Sequence, residues 1–291
     1  MVRLTYSVEL DYQVQPPGAT FIFNIQAAST ARQRVVTETL QILPSLPQTS
    51  QVDPVTHGRH LRLQAPAGPL ALRYQATVDI DHHGADPATL REVPVADLPG
   101  SLLPYLYPSR YCESDRLQPL ALQQFGALPP GHARVLAVRD WVRRQVRFRA
   151  NSSDSRTGAC DTLASGQGVW RDFAPLRIAM RRARNLPARF ATGIDYGADP
   201  ALGPTDFHAY VEVFLSNHWY LFDPSGTAIP MGFVRIGTGR DAADAAFATI
   251  FGAVHSAAPR VGIFAHLDGA TRPLQLPVHT TTALSTAASE N

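Results

Sequence analysis

Three kinds of side chain in this sequence could together perform acyl transfer through a thiol. The thiols are Cys112 and Cys160, and His208 and Asp223 lie in two strand-like runs that follow each other in the chain. Such chemistry needs a thiolate at a helix N-terminus beside a histidine, and a carboxylate or amide that orients the histidine. His208 and Asp223 could supply the base and its orienting group, so the nucleophile is the residue that remains to be found.

The elements that would position these residues follow the order helix, strand, strand. Apolar residues at helical spacing predict helices over residues 132–148 and 169–184. Asn185, followed by Leu186 and Pro187, is typical of a helix C-terminus. Aromatic and β-branched residues then predict two strands that are joined by a short turn at Ser216-Asn217. These strands cover residues 208–215 and 218–222.

The first hundred residues have a different pattern, in which apolar and polar residues alternate. An alternation with period two is typical of half-buried antiparallel strands. The segment Pro66-Ala67-Gly68-Pro69 separates two such runs and predicts a hairpin. We therefore expect an antiparallel β sandwich in this region. Its predicted strands cover residues 4–14, 21–25, 34–43, 61–63 and 70–80.

Several segments resemble, in the same order, the motifs of bacterial transglutaminase-like proteins, which belong to the papain-type cysteine-hydrolase class. The segment Gly-Gln-Gly-Val-Trp-Arg-Asp-Phe-Ala at 166–174 resembles the helix-opening motif Gly-Val-Cys-Arg-Asp-Phe-Ala. Residues 206–213 resemble the strand that carries the histidine, and residues 218–224 resemble the strand that carries the aspartate. Shorter likenesses occur at residues 108–115, 239–244 and 251–252.

The resemblance implies that Trp170 stands at the nucleophile position, with His208 as the base and Asp223 as its orienting group. An indole has no ionisable thiol and cannot form an acyl-enzyme. We expect a side chain of this size to fill the cleft where an amide substrate would bind. Pro175 is a second departure, because it stands where the family's helix is expected to carry a histidine.

The resemblance also implies the fold, which is α+β. An N-terminal antiparallel β sandwich is expected over residues 1–105, followed by a papain-like, transglutaminase-like core domain over residues 106–275. Small and polar residues predict a disordered tail over residues 276–291.

The leading functional hypothesis is a catalytically inactive homologue that keeps the fold for binding or regulation. The alternative is an active amide hydrolase or amidotransferase acting on peptide or glutamine amides. It would use Cys160, in a predicted loop ahead of the helix, or a water activated by His208 and Asp223. Asp161 next to Cys160 is expected to raise the pKa of that thiol. A third hypothesis is a subunit that partners an active relative.

Composition narrows the choice of partners and location. The formal net charge is +2, which gives no general attraction to nucleic acid, and no apolar run is long enough to span a membrane. Two cysteines fit a reducing compartment, so we expect a cytoplasmic protein. We expect the Asp- and His-rich run at 79–86 to be a solvated loop and not a metal site. The glycines at 166–168 are too few to form a phosphate-binding loop. No cofactor or metal is expected. The former active-site cleft is expected to hold a peptide or protein ligand. The sequence does not decide between a monomer and a homo-oligomer.

Overall fold

The computed structural model confirms the α+β class, with an antiparallel β sandwich followed by a domain of helices packed on a second antiparallel sheet. It describes residues 1–54, 56–149, 152–197, 205–226, 228–267 and 273–287, and the side chain of Trp170 lies outside this description. The α-helices within these residues are α1 (Ser114–Phe125), α2 (His132–Gln145), α3 (Ala159–Ser165) and α4 (Trp170–Arg182). The strands are β1 (Val2–Val14), β2 (Ala19–Phe23), β3 (Gln33–Leu43), β4 (Gln48–Val52), β5 (Arg59–Ala65), β6 (Gly68–Ile80), β7 (His83–Ala85), β8 (Arg147–Phe148), β9 (Gln167–Gly168), β10 (Ala188–Asp195), β11 (Phe207–Leu215), β12 (His218–Phe222), β13 (Phe233–Gly239), β14 (Ala248–Phe251), β15 (Val254–Ser256), β16 (Arg260–Ala265) and β17 (Ala283–Ser285).

Two antiparallel sheets form the N-terminal sandwich and share one core. One has the strand order β15-β1-β6-β3, with β16 also pairing with β1, and the other has the order β14-β2-β5-β4. Tyr6, Phe21 and Leu63 are buried between the two sheets because the alternation of each strand turns its apolar side inward. Ile194 and Ile236 of the following domain join the same core.

The chain returns to the sandwich after it has built most of the second domain. Strand β14 pairs with β2, β15 pairs with β1, and β16 pairs with β1 over six residue pairs from Leu4↔Ala265 to Glu9↔Arg260. The predicted division of the chain at residues 105 and 275 did not include this return, because an alanine-rich segment followed by short strands gives no local sign of its partner.

The second domain packs α4 on the antiparallel sheet β12-β11-β10-β13. Ala174 and Ile178 on the helix are buried against Val211 and Val213 on β11. Helix α4 ends at Arg182, so the predicted helix over 169–184 was slightly too long. Asn185 takes a left-handed backbone with φ 62°, as the sequence predicts for a residue that follows a helix. Helix α2 ends at Gln145, so the predicted helix over 132–148 was too long at its end, where β8 runs parallel to β9.

The predicted disorder of the tail is wrong for residues 283–287. Ser285 and Thr286 are fully buried, and β17 pairs with β7. The Thr286 hydroxyl lies 2.9 Å from Arg235 Nη2. Small polar residues look solvated when read alone, but here a distant arginine and a free strand edge give them partners. Residues 288–291 lie outside the described residues.

A buried network of charged side chains contacts the end of this tail through Arg235. Glu212 is fully buried between two arginines and accepts hydrogen bonds from Arg189 Nε at 2.7 Å and Arg235 Nη1 at 2.9 Å. The pKa of Glu212 is lowered to about 2, because the two guanidinium groups outweigh the effect of burial, which alone would raise it. Removing one member would leave an unpaired buried charge, which is far more costly than losing the attraction itself.

No helix in the described part of the chain has both the length and the apolar character to cross a membrane.

Candidate functional site

The hairpin of β11 and β12 brings His208 and Asp223 together. Its turn residues Ser216 and Asn217 have φ angles of 44° and 65°, as a two-residue hairpin turn with right-handed strand twist requires. The register pairs Val211 with Phe222, so Asp223 at the end of β12 lies beside the first residues of β11. His208 Nε2 lies 3.2 Å from Asp223 Oδ1, the contact that the family resemblance implies for these two residues.

The Asp223 carboxylate is held in place by the loop that follows it. It accepts hydrogen bonds from the Ser225 amide at 2.8 Å, the Ser225 hydroxyl at 2.7 Å and the Ala228 amide at 2.9 Å. Burial alone would raise the pKa of Asp223, but the hydrogen bond with His208 and those from the loop lower it below its usual range. Asp223 therefore stays ionised at any physiological pH.

Asp195 is a second carboxylate at His208, and the sequence analysis missed it. It ends β10, whose residue Gly193 is opposite His208 in the antiparallel register. Asp195 Oδ2 lies 3.5 Å from His208 Nε2, and the residue is only 2% exposed. Besides the His208 ring, the buried Tyr210 hydroxyl interacts with this carboxylate. One signal in the sequence could have indicated it: an acidic residue closing a run of residues that are otherwise apolar or small.

These two carboxylates decide the charge of the histidine. Burial alone would lower the pKa of His208, but Asp195 and Asp223 together raise it to about 9. Burial and the Asp223 charge raise the pKa of Asp195 to about 7, against the opposing effect of His208. His208 is therefore an imidazolium near neutral pH, held between two acids.

A cleft of about 1020 Å³ opens in front of His208. Val169, Asp172 and Pro175 line it from the start of α4, and Asp195 lines it from β10. Another part of the lining is a continuous segment, from Ala245 to Ile250. Asp172 Oδ2 accepts a hydrogen bond from the Val169 amide at 2.8 Å, which caps the helix at this wall.

Trp170 is the first residue of α4, between the cleft-lining residues Val169 and Arg171. The expectation that its indole fills the cleft concerns a side chain outside the described residues. Pro175 is the sixth residue of the helix and so lies beyond the first four, whose amides have no partner in the helix. It removes the hydrogen bond that an amide there would donate to the Arg171 carbonyl.

Cys160 and Cys112 lie elsewhere. Cys160 is on helix α3, not in a loop as predicted, because Glu113 binds the start of this helix by accepting from the Ala159 amide at 2.9 Å. It is absent from the residues that line the cleft. Burial and the Glu113 charge raise the pKa of the Cys160 thiol, and burial raises that of Cys112 to about 12.

Residues of the Asp- and His-rich run at 79–86 contact other side chains of the protein. Asp79 pairs with Arg3 and Arg34, and the His83 ring stacks on His218 with centroids 4.2 Å apart. Among the described residues, no group of three or more histidine, cysteine or acidic side chains is arranged to hold a metal ion.

Comparison with known proteins gives matches over both domains. Residues 2–101 match the bacterial transglutaminase N-terminal domain, and residues 120–224 match the transglutaminase-like superfamily. The crystal structure of a candidate cysteine protease from Cytophaga hutchinsonii is 37% identical, with a TM-score of 0.88 over 98% of this chain and 97% of that one.

Other similar proteins are more distant. The periplasmic domain of TgpA from Pseudomonas aeruginosa is 18% identical with a TM-score of 0.39, over 79% of this chain and 92% of that one. An uncharacterized protein of Mycobacterium tuberculosis is 30% identical over 40% of this chain, and one of Mycobacterium leprae is 26% identical over 38%. The chain spans about two fifths of the length of these mycobacterial relatives (41% and 42%). The near-complete match to the Cytophaga protein and the two domain matches show that the chain belongs to the transglutaminase-like superfamily.

Proposed function

We propose that this member of the transglutaminase-like superfamily has lost its nucleophile and that its cleft binds a peptide or protein segment without acylation. One observation carries the proposal: Trp170 opens α4 at the family's nucleophile position, while His208 and Asp223 keep their mutual contact. A cytoplasmic location and a regulatory role belong to the same proposal.

The distribution of thiols supports this proposal. The chain has two cysteines, and neither lines the cleft. The pKa of each thiol is raised, whereas thiol nucleophiles in enzymes have lowered pKa values. Cys160 is thus a poor substitute for the missing nucleophile.

The charge of His208 weighs against the alternative, in which a histidine-activated water attacks an amide. A general base must be unprotonated before it can accept a proton. With a pKa of about 9, His208 is protonated at neutral pH in nearly all molecules. The ion pairs that keep His208 protonated would suit a histidine that pairs with a thiolate, and Trp170 cannot supply a thiolate.

The proposal is tested by incubating the native protein with a glutamine-containing peptide and measuring its intact mass after acid quenching. We expect no acyl adduct and no released ammonia. A thioester on either cysteine of the native protein would overturn the proposal. The Trp170→Cys variant is the matched control, because it restores a thiol at the helix start beside an unchanged His208 and Asp223.

A further inference from the structure

The segment of the cleft lining that runs from Ala245 to Ile250 ends in a strand edge. Strand β14 is the outermost strand of its sheet and pairs on one side with β2. Five consecutive residues, from Ala246 to Ile250, line the cleft. Because neighbouring side chains of a strand point to opposite faces, consecutive lining residues mean that the edge of the strand borders the cleft.

The hydrogen-bond register shows which backbone groups face outward. The Asn24 amide donates to the Phe247 carbonyl at 2.9 Å, and Thr249 is opposite Ile22. Residues of an antiparallel strand alternate between bonding their partner and facing away from it. The amides and carbonyls of Ala248 and Ile250 therefore face away from β2, and no described residue bonds them.

This edge leads towards an acidic end of the cleft. The rings of Phe247 and Phe207 stack with centroids 4.5 Å apart, and His208 follows Phe207. Asp206 at this end is exposed, and the buried Asp195 carboxylate, which pairs with His208, lines the same cleft. Together with Asp223, three carboxyl groups surround one imidazolium, so a cationic group is favoured here.

Resting on the proposed function, we propose that the cleft binds an extended peptide segment of a partner protein, which adds as a strand to the edge of β14 and directs an arginine or lysine side chain to Asp206 and Asp195. Edge addition draws affinity from main-chain hydrogen bonds and specificity from pockets for alternate side chains. The cleft volume of about 1020 Å³ slightly exceeds the range of roughly 300–1,000 Å³ for small-molecule sites.

A second copy of this chain is a weaker candidate for the same edge. Strand β14 borders a cleft whose other wall includes Val169 and Pro175 of α4. The edge of another folded sheet would have to fit beside these α4 residues together with the rest of its sheet, whereas a single extended segment brings only its own backbone and side chains.

The test uses the full chain and a peptide labelled at its N-terminus, fluorescein-Thr-Val-Arg-Val-Thr-amide, and binding is measured by fluorescence anisotropy. Two further peptides carry N-methyl groups on alternate amides, one set on odd and one on even positions. We expect saturable binding of the parent peptide and a loss of about tenfold or more for one methylated set only, because only one face of the peptide backbone pairs with β14. Replacing arginine by glutamate should also weaken binding about tenfold or more.

Protein variants check the same contact from the other side. Ala248→Pro removes an outward amide on an edge strand, where proline is tolerated, and should weaken binding of the parent peptide. Thr249→Ala leaves every edge amide in place and should bind as the native protein does. Three results would each overturn the inference. The first is equal binding of both methylated peptides, and the second is a lack of saturable binding by the parent peptide. The third is a dimer of the protein that Ala248→Pro dissociates, together with no binding of the peptide. The mass of the recovered peptide separates the two proposals. A cleaved or covalently joined peptide contradicts the proposed function. An intact peptide whose affinity does not depend on backbone methylation contradicts only the edge site.

Discussion

Raising the pH from 7.5 to 9.5 should destabilise the fold through His208. The pKa of His208 in the folded protein, about 9, lies above the ordinary value of 6.5. Protonation of the imidazole therefore stabilises the folded state, and this contribution is complete below pH 6.5. That contribution is lost as the pH rises through 9. A shift of 2.5 units at about 1.4 kcal/mol each gives roughly 3–4 kcal/mol in total, of which roughly 2 kcal/mol is lost between pH 7.5 and 9.5.

The two neighbouring carboxyl groups change their protonation mainly below this window. The raised pKa of Asp195, about 7, favours folding in acid, and its contribution is lost as the pH rises from the ordinary value of 3.8 to 7. The lowered pKa of Asp223 acts the other way, with a contribution that is present above 3.8 and lost in acid. Between pH 7.5 and 9.5 the change should therefore come mainly from His208 among these three groups.

Urea unfolding of the native protein and of a His208→Gln variant at both pH values isolates this effect. The difference in the free energy of unfolding between the two proteins should shrink by roughly 2 kcal/mol from pH 7.5 to 9.5. Nuclear magnetic resonance of the His208 ring should give an apparent pKa near the same value of about 9. A difference that does not change with pH, together with a ring pKa at or below 6.5, would refute the ion-pair reasoning and reopen water activation by a neutral imidazole.

Three further predictions concern the supports of the site. Asp195→Asn should lower the pKa of His208 by at least about one unit in the same ring titration, because one of its two charge partners is lost; no shift would remove Asp195 from the site. Glu212→Gln should cost about 3–5 kcal/mol in urea unfolding because it leaves two buried arginines poorly paired, whereas Glu38→Gln, at a partly exposed ion pair, should cost about 1 kcal/mol or less. Deleting residues 283–291 should lower the melting temperature measured by calorimetry, since Ser285 and Thr286 are fully buried; an unchanged temperature would show that the tail adds nothing to stability.

Local patterns in the sequence were sufficient to predict most of the elements that carry the site. The strand over 218–222 and the turn at Ser216-Asn217 were predicted correctly, because turn chemistry and β-branched residues are read from neighbours in the chain. The contact of His208 with Asp223 followed from the family resemblance, and the hairpin register explains it.

Features that depend on distant partners escaped prediction. Asp195 matters because β10 pairs with β11 and brings it to His208, and no spacing rule in one sequence gives that register. Strand β14 looks like part of an alanine-rich loop until β2 pairs with it. The tail residue Thr286 is buried because Arg235, far away in the sequence, supplies a hydrogen-bond donor.

The absence of an activated thiol is tested most directly by the alkylation rates of Cys112 and Cys160 with iodoacetamide at pH 6, read by peptide mass spectrometry. A thiol of ordinary pKa near 8.5 is roughly 0.3% ionised there, whereas an activated thiol of pKa 6 or below is at least half ionised, a difference of more than about 100-fold in rate. The raised pKa values of both thiols predict labelling no faster than that of a free cysteine. Fast labelling of Cys160 in the native protein, slowed by His208→Ala, would contradict this account and show that the nucleophile has moved.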